Sequence, residues 1–280
     1  MNRVLLTVDL SYQIYRACAA HPQLSSVNET FTGGLYGFLQ TFSMMVREAR
    51  VTDVVVCRDS KPYLRSQEYP QYKQLRKSTM DPDLKGRFNE TEPLILELLD
   101  RAGIPVWALP GFEADDLAAH AVRTYRSRFD RIYAASNDSD LFQLLGYPGF
   151  AVFKDSIKSL VTADSLLLSQ GVTPDEFTLS TALQGTHNDI EGIAGVGPKT
   201  ALKVIRDPAL MRKYRDSHGD VIDRNMRLIR LPHPLFPRST RMPERIAKRF
   251  DQRDLFRWLG KYDIECTLSM VNAFEHVNRG

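Results

Sequence analysis

Acidic side chains recur in this sequence where separate segments could bring them together. Asp9 closes the apolar run 3–9 and Asp59 follows the run 53–57. Glu113, Asp115 and Asp116 open the segment 111–117, and Asp138 and Asp140 follow the run 131–136. Taken singly, each has an ordinary explanation. Acids near a helix start are favoured by the dipole and cap free amides, which suits Glu113 and Asp116 equally well. An acid-x-acid pair after a strand is common turn chemistry. Taken together, unpaired carboxylates in one place repel one another, and a divalent cation removes that cost. Oxygen-only donors select magnesium or manganese rather than zinc. A cleft of this kind suits phosphodiester hydrolysis assisted by two metal ions.

Elements able to position these acids are legible in the first half. The runs 3–9, 53–57, 104–107, 131–136 and 150–153 are nearly continuous apolar stretches, as expected of strands buried on both faces. Between the first two, Leu35, Phe38, Leu39, Phe42, Met45, Val46 and Ala49 recur at helical spacing. Strands alternating with helices predict an α/β fold with a mainly parallel sheet. The acids lie just past the carboxyl ends of these strands, the edge where open α/β sheets bind ligands. After residue 162 strand signals fade. Helices are expected at 164–170, 174–183, 198–205 and around 243–262, with the proline-rich run 231–237 as an extended loop.

Two further patterns point to a polyanion. In residues 192–202, Gly195 and Gly197 favour a tight turn and Pro198 begins a helix, with Lys199 and Thr200 beside its free amides. This has the look of a helix–hairpin–helix element, which holds DNA phosphates without reading bases. A simple helix–turn–helix corner would share the glycines. Residues 61–76 interleave Lys61, Arg65, Lys73 and Arg76 with Tyr63, Tyr69 and Tyr72, which offers phosphate contacts and stacking surfaces, or plain packing.

Composition adds limits. The 280 residues are 43% hydrophobic and 25% charged, with a net charge of +3, ordinary for a globular chain. Basic residues cluster at 61–77, at 206–215 and at Arg245, Lys248 and Arg249, away from the acids. No apolar run approaches the ~20 residues of a membrane span. Asp9 interrupts the only apolar start and no cleavage site follows, so no signal peptide is expected and the expected location is cytoplasmic. Cys18, Cys57 and Cys266 form no metal or disulfide spacing.

The ordered set VDLSYQIYRA, CRDSKPYLRSQEYPQYKQLR, GFEADD, ASNDSDLFQLL and GIAGVGPKTALKVI resembles the flap endonucleases and the bacterial or phage 5′-3′ exonucleases, including the 5′-nuclease domain of DNA polymerase I. The resemblance spans roughly residues 3 to 205 and fades after Asp207. It implies a PIN-like nuclease fold. Residues 1–165 would form the nuclease domain, with an arch at about 73–93 through which the 5′ strand passes. Residues 166–280 would form a helical DNA-binding region carrying the glycine-rich hairpin 192–200. Asp9, Asp59, Glu113 and Asp115 would surround one Mg2+ or Mn2+, with Asp116 close by, and Asp138 and Asp140 would hold a second. Lys73 would sit by the scissile phosphate with Arg76 beside it, and Arg65, Tyr72, Gly195, Gly197, Lys199 and Thr200 would contact DNA. Carbonyls of the hairpin could hold K+ against a phosphate. The expected partners are DNA with 5′ flaps, frayed or recessed ends, bound by a monomer.

One departure bears on the second ion. Relatives carry Gly-Asp-x-x-Asp-Asn a few residues before the hairpin, where this chain reads Gln184-Gly185-Thr186-His187-Asn188-Asp189. Without a gap, Gly185 and Asn188 occupy the acid positions; with a one-residue deletion, Thr186 and Asp189 do. The first acid is missing either way, so the second ion should bind more weakly, with Asp189 or His187 left to compensate. A DNA-structure binding protein with weak cutting is the alternative from another class. A PIN-type RNase shares the acidic edge but leaves the glycine-rich hairpin and arch unexplained.

Overall fold

The structure is a computed structural model that describes residues 2–154, 159–244 and 250–279, with the side chains of residues 76, 77, 278 and 279 outside that description. Along the chain β1 (Val4–Asp9), α1 (Leu10–Ala20), α2 (Gly33–Glu48), β2 (Asp53–Arg58), α3 (Leu64–Glu68), α4 (Gln74–Ser78), α5 (Pro82–Arg101), β3 (Val106–Ala108), α6 (Ala114–Tyr125) and β4 (Arg131–Ala135) come first. A 3-10 turn (Ser139–Leu144) leads to β5 (Phe150–Lys154) and β6 (Ser159–Val161). Then follow α7 (Ala163–Gln170), α8 (Pro174–Gln184), β7 (Gly185–Thr186), β8 (Ile190–Glu191), α9 (Pro198–Arg206), α10 (Pro208–Ile229), α11 (Gln252–Gly260) and α12 (Leu268–Arg279).

Six strands form one sheet in the order β3-β2-β1-β4-β5-β6, parallel except for the last. Because side chains alternate along a strand, the sheet feeds two cores at once. Leu6, Val8, Val54, Val56, Tyr133 and Phe153 point to α1, α2 and α5. Leu5, Val55, Cys57, Ile132, Ala134 and Val152 point to α6 and the 3-10 turn. The chain moves outward from β1 to β2 and β3, then returns to β4 on the other side of β1. That reversal opens a crevice at the carboxyl ends of β1 and β4.

The segment expected to form an arch, about 73–93, begins as two helices, α4 and α5, joined at residues 79–81. Its outer part packs back on α1, where the Tyr15 and Phe88 rings stack at 4.3 Å, while Ile95, Leu98 and Leu99 sink α5 into the core. A separate small core of Leu183, Ile193, Val196, Ala201, Val204 and Ile222 joins α8, α9 and α10.

Three expectations change. The edge strand β6 and the helices α10 and α12 are not among the expected elements. The helix expected around 243–262 is described only as α11, since residues 245–249, with Arg245, Lys248 and Arg249, lie outside the described residues. The division at residue 165 also fails to separate the packing. Leu255, Trp258, Leu259, Val271 and Phe274 join the core of α1 and α2, so the last two helices pack with the α/β body. Phe274 stacks on Phe42 at 4.5 Å and is fully buried. Phe274→Ala should therefore destabilise the whole α/β body by about 3–5 kcal/mol, read by urea unfolding; an independent tail would leave that transition unmoved.

Candidate metal centre

Each acid of the cluster is placed by an element end. Asp9 is the last residue of β1 and the N-cap of α1, its Oδ1 accepting the Tyr12 N–H at 3.0 Å. Asp59 follows β2 and accepts the Ala114 N–H at 2.9 Å, which ties it to the start of α6. Asp138 follows β4, and its Oδ1 accepts the Asp140 N–H at 2.9 Å. Asp9, Asp115 and Ser136 line one narrow crevice between the sheet edge and α6.

Electrostatics confirm the crowding. Burial, then Asp59 and Asp138, push the Asp9 carboxyl up to about 7. Burial and Asp138 push Asp140 up to about 7. Burial, Asp138 and Asp9 raise Asp115 well above the carboxylate range. In an unfolded chain these groups ionise near pH 4, so their contribution to stability is lost as pH rises from about 4 towards 7. Nearby positive charge is the ordinary remedy.

Glu113 and Asp116 live under different conditions. Arg65 is only 4% exposed, and its Nη1 and Nη2 donate to Asp116 at 2.6 and 2.7 Å while Nη1 also reaches Glu113 at 3.0 Å. The remaining capacity of Asp116 is taken by the Glu113 and His233 amides. Glu113 further accepts from the Tyr72 hydroxyl at 2.9 Å and the Lys73 ammonium at 2.5 Å. Burial opposes its ionisation, but Lys73 and Arg65 prevail and hold it at about 2. Burial likewise opposes the charge on Lys73, yet Tyr72 and Glu113 raise its pKa well above the usual lysine range.

Several expected roles shift accordingly. Arg65 and Tyr72, expected to touch DNA, are buried and spend their donors on Glu113 and Asp116, so neither is placed to reach a phosphate or base. Asp116 is fully buried with both oxygens occupied by protein donors, which does not fit the metal-side place expected for it. Asp189 accepts the Leu75 N–H at 2.7 Å and so faces α4. The side chain of Arg76 lies outside the described residues. Asn188 is 1% exposed and its Oδ1 has no hydrogen-bond partner. An acid at Gly185 is excluded, because its φ is +83° and a Cβ there would meet the Ile190 carbonyl at 2.3 Å.

The five remaining acids, Asp9, Asp59, Asp115, Asp138 and Asp140, form no ion pair among the described residues. Their oxygen-only chemistry and mutual repulsion fit a divalent cation. As the side chains stand, no three of the described His, Cys, Asp or Glu close on one point, so binding would draw the carboxylates inward.

Away from the cleft, Gly195 (φ +79°) and Gly197 present bare backbone, because Ile193 and Val196 anchor their turn in the small core. Lys199 stands exposed after Pro198 at the start of α9, with Thr200 half-buried next to it. Sequence reasoning missed the strap 229–233. Gln143 receives the Leu231 N–H and donates to the Ile229 carbonyl, and His233 caps Asp116. The prolines announced an extended segment there but not its destination.

The sheet order and the acids at its carboxyl edge define an α/β fold with an acidic crevice, consistent with a PIN-like fold. A sequence model of the 5'-3' exonuclease N-terminal resolvase-like domain matches residues 4–169. The chain is 32% identical over 206 residues to a 5'-3' exonuclease of Aquifex aeolicus, covering 73% of this chain and 69% of that one. It is 31% identical to DNA polymerase I of Bacillus caldotenax over 74% of this chain, a match that spans only 24% of the polymerase. This chain therefore belongs to the 5'-3' exonuclease family. The fold is shared with a bacteriophage T5 flap endonuclease solved with DNA and metal ions, at a TM-score of 0.68, 20% identity, and coverage of 81% of this chain and 89% of that one.

Arg65 must be matched to its carboxylates for the site to exist. Arg65→Met should cost about 3–5 kcal/mol in chemical denaturation, because it leaves the buried Asp116 without a cation and takes from Glu113 one of its two. The exposed Lys199→Ala should stay within about 0.5 kcal/mol of the parent.

Proposed function

We propose that this chain is a structure-specific 5′-nuclease that hydrolyses DNA phosphodiester bonds at 5′ ends and flaps with the help of divalent metal ions. The observation that carries this reading is the set of five acids at one sheet edge beside Lys73, none of them in an ion pair among the described residues. Family membership supports it. Asp9, Asp59 and Asp115 would hold one Mg2+ or Mn2+, with Glu113 holding Lys73 beside them; Asp138 and Asp140 would hold the other. Ions held there would supply an activated water and positive charge at the phosphate. The chain's own residues do the rest. Lys73, fixed by Glu113, presents an ammonium that stabilises charge growing on the scissile phosphate. An arch at about residues 73–93 would confine the 5′ strand. The bare turn at Gly195 and Gly197, with Lys199 and Thr200, grips a remote stretch of backbone, and its carbonyls are the place for a K+ ion against a phosphate.

The second ion should bind more weakly, because the first acid is missing in either register, with Gly185 and Asn188 or with Thr186 and Asp189 at the two positions. That thinning favours a second reading, a DNA-structure binder with little cutting. No helix among the described residues is long and apolar enough to cross a membrane. We take the protein to act as a monomer in the cytoplasm, on flapped, frayed or recessed DNA ends.

Labelled flap DNA and its RNA counterpart, incubated with magnesium or EDTA, test this directly. Magnesium-dependent release of 5′ fragments from DNA is expected; binding without cutting would favour the second reading, and RNA preference a PIN-type RNase. Lys73→Ala should lower the single-turnover rate by roughly a hundredfold or more with binding little changed, whereas Lys199→Ala should weaken binding alone. Millimolar magnesium should also raise the melting temperature, since a ligand bound only by the folded state stabilises it.

A further inference from the structure

Lys73 adopts a backbone conformation that its residue type disfavours. Its φ is +56°, in the left-handed region where a side chain other than glycine, asparagine or aspartate is uncommon. Something must hold it there. Two contacts do, one on each side, and both come from the same distant turn. The Lys73 N–H donates to the Asn188 carbonyl at 3.0 Å. The Leu75 N–H, in the first turn of α4, donates to the Asp189 carboxylate at 2.7 Å. α4 has no side-chain cap from Lys73, its own N-cap residue, so Asp189 takes the role that a capping side chain would fill.

The turn itself is firmly held. Asp189 is left-handed at φ +62°, and the Asn188 N–H donates to Thr186 Oγ1 at 3.0 Å. The strands on either side are pressed against the end of α8, where a Cβ on Gly192 would meet Gln184 at 2.1 Å. Asn225 and Arg224 on α10 both donate to the Glu191 carbonyl. Beyond Gly192 the chain enters the glycine-rich turn at once. The far end of the Lys73 side chain then meets Glu113 in the acid cluster.

We propose that Asp189 is a positioning residue for Lys73, not a metal ligand. Its carboxylate caps α4 and, with the Asn188 carbonyl, fixes the left-handed turn from which the ammonium reaches the cleft. This assignment rests on the reading of Lys73 as the residue beside the scissile phosphate, but the contact itself can be tested without cutting.

Two substitutions separate the roles because both tolerate a left-handed backbone. Asp189→Gly removes the carboxylate; Asp189→Asn keeps an oxygen that can accept the Leu75 N–H but lowers its worth as a ligand for a hard cation. Acylation of Lys73 in metal-free protein, followed by mass spectrometry, reads its protection, with Lys199 as internal control. Labelling of Lys73 should speed up several-fold in Asp189→Gly, stay near the parent rate in Asp189→Asn, and leave Lys199 unchanged in both. The single-turnover cleavage rate should fall on the order of tenfold to a hundredfold in Asp189→Gly and recover in Asp189→Asn, at an unchanged magnesium midpoint. Unchanged Lys73 labelling in Asp189→Gly would overturn the proposal. A magnesium midpoint raised equally in both variants would return Asp189 to the metal. If the parent protein does not cut flap DNA at all, the functional reading fails, while the labelling still decides whether Asp189 positions Lys73.

Discussion

The structure turns on the burial of one guanidinium. Arg65, at 4% exposure, bridges Glu113 and Asp116 on α6 and also donates to the Leu228 and Arg230 carbonyls at the end of α10. A charge so buried is tolerated only where its donors are nearly all matched, and here carboxylates and carbonyls match them. The contact therefore joins three parts of the chain that sequence places far apart: the segment before the arch, the helix that opens with the acids, and the last turn of the helical region. The strap 229–233 follows from it, because His233 completes the same carboxylate.

That bond also sorts the acids into two groups. Arg65 and Lys73 are matched in charge by Glu113 and Asp116, so this part of the site is neutral within the protein. Among the described residues the other five carboxylates have no such partners, and burial with mutual repulsion drives Asp9 and Asp140 up to about 7. A cluster in that condition stores affinity for cations, whereas a fully paired network would have none to offer. The same division explains why Lys73 stays charged in a confined place: Glu113 holds its proton on, and the Tyr63 and Tyr72 rings lie 5.9 and 5.1 Å from its nitrogen. Positive charge is thus built in next to negative charge that awaits a counterion.

Much of the scaffold could be anticipated from residue patterns. Apolar runs ending in acids marked β1, β2 and β4 because both faces of a parallel strand are buried and the ligand edge is polar. The helical spacing from Leu35 to Ala49 marked α2 for the same reason of one-sided burial. Elements whose stability comes from distant partners were less legible. β6 is a three-residue edge strand with no pattern of its own. α10 has a break at His218, beside Gly219, which interrupts its helical pattern, and it packs against α8 and α9. Arg65 and Tyr72 look like surface chemistry in a basic, tyrosine-rich stretch; nothing in their neighbours says that acids 48 and 41 residues onward will draw them inside.

By itself, then, the sequence determined which residue types are available and which strand ends would carry them. An acid after an apolar run must lie at a strand's carboxyl edge, and oxygen-only donors restrict the cation, whatever the rest of the fold does. Only the tertiary structure decided which acids are spent and which are free. That outcome depends on where the cations of residues 65 and 73 come to rest, and on whether the turn at 188–189 meets α4 or the cleft. Those are contacts between segments more than a hundred residues apart in the second case, set by packing geometry, and no local spacing encodes them.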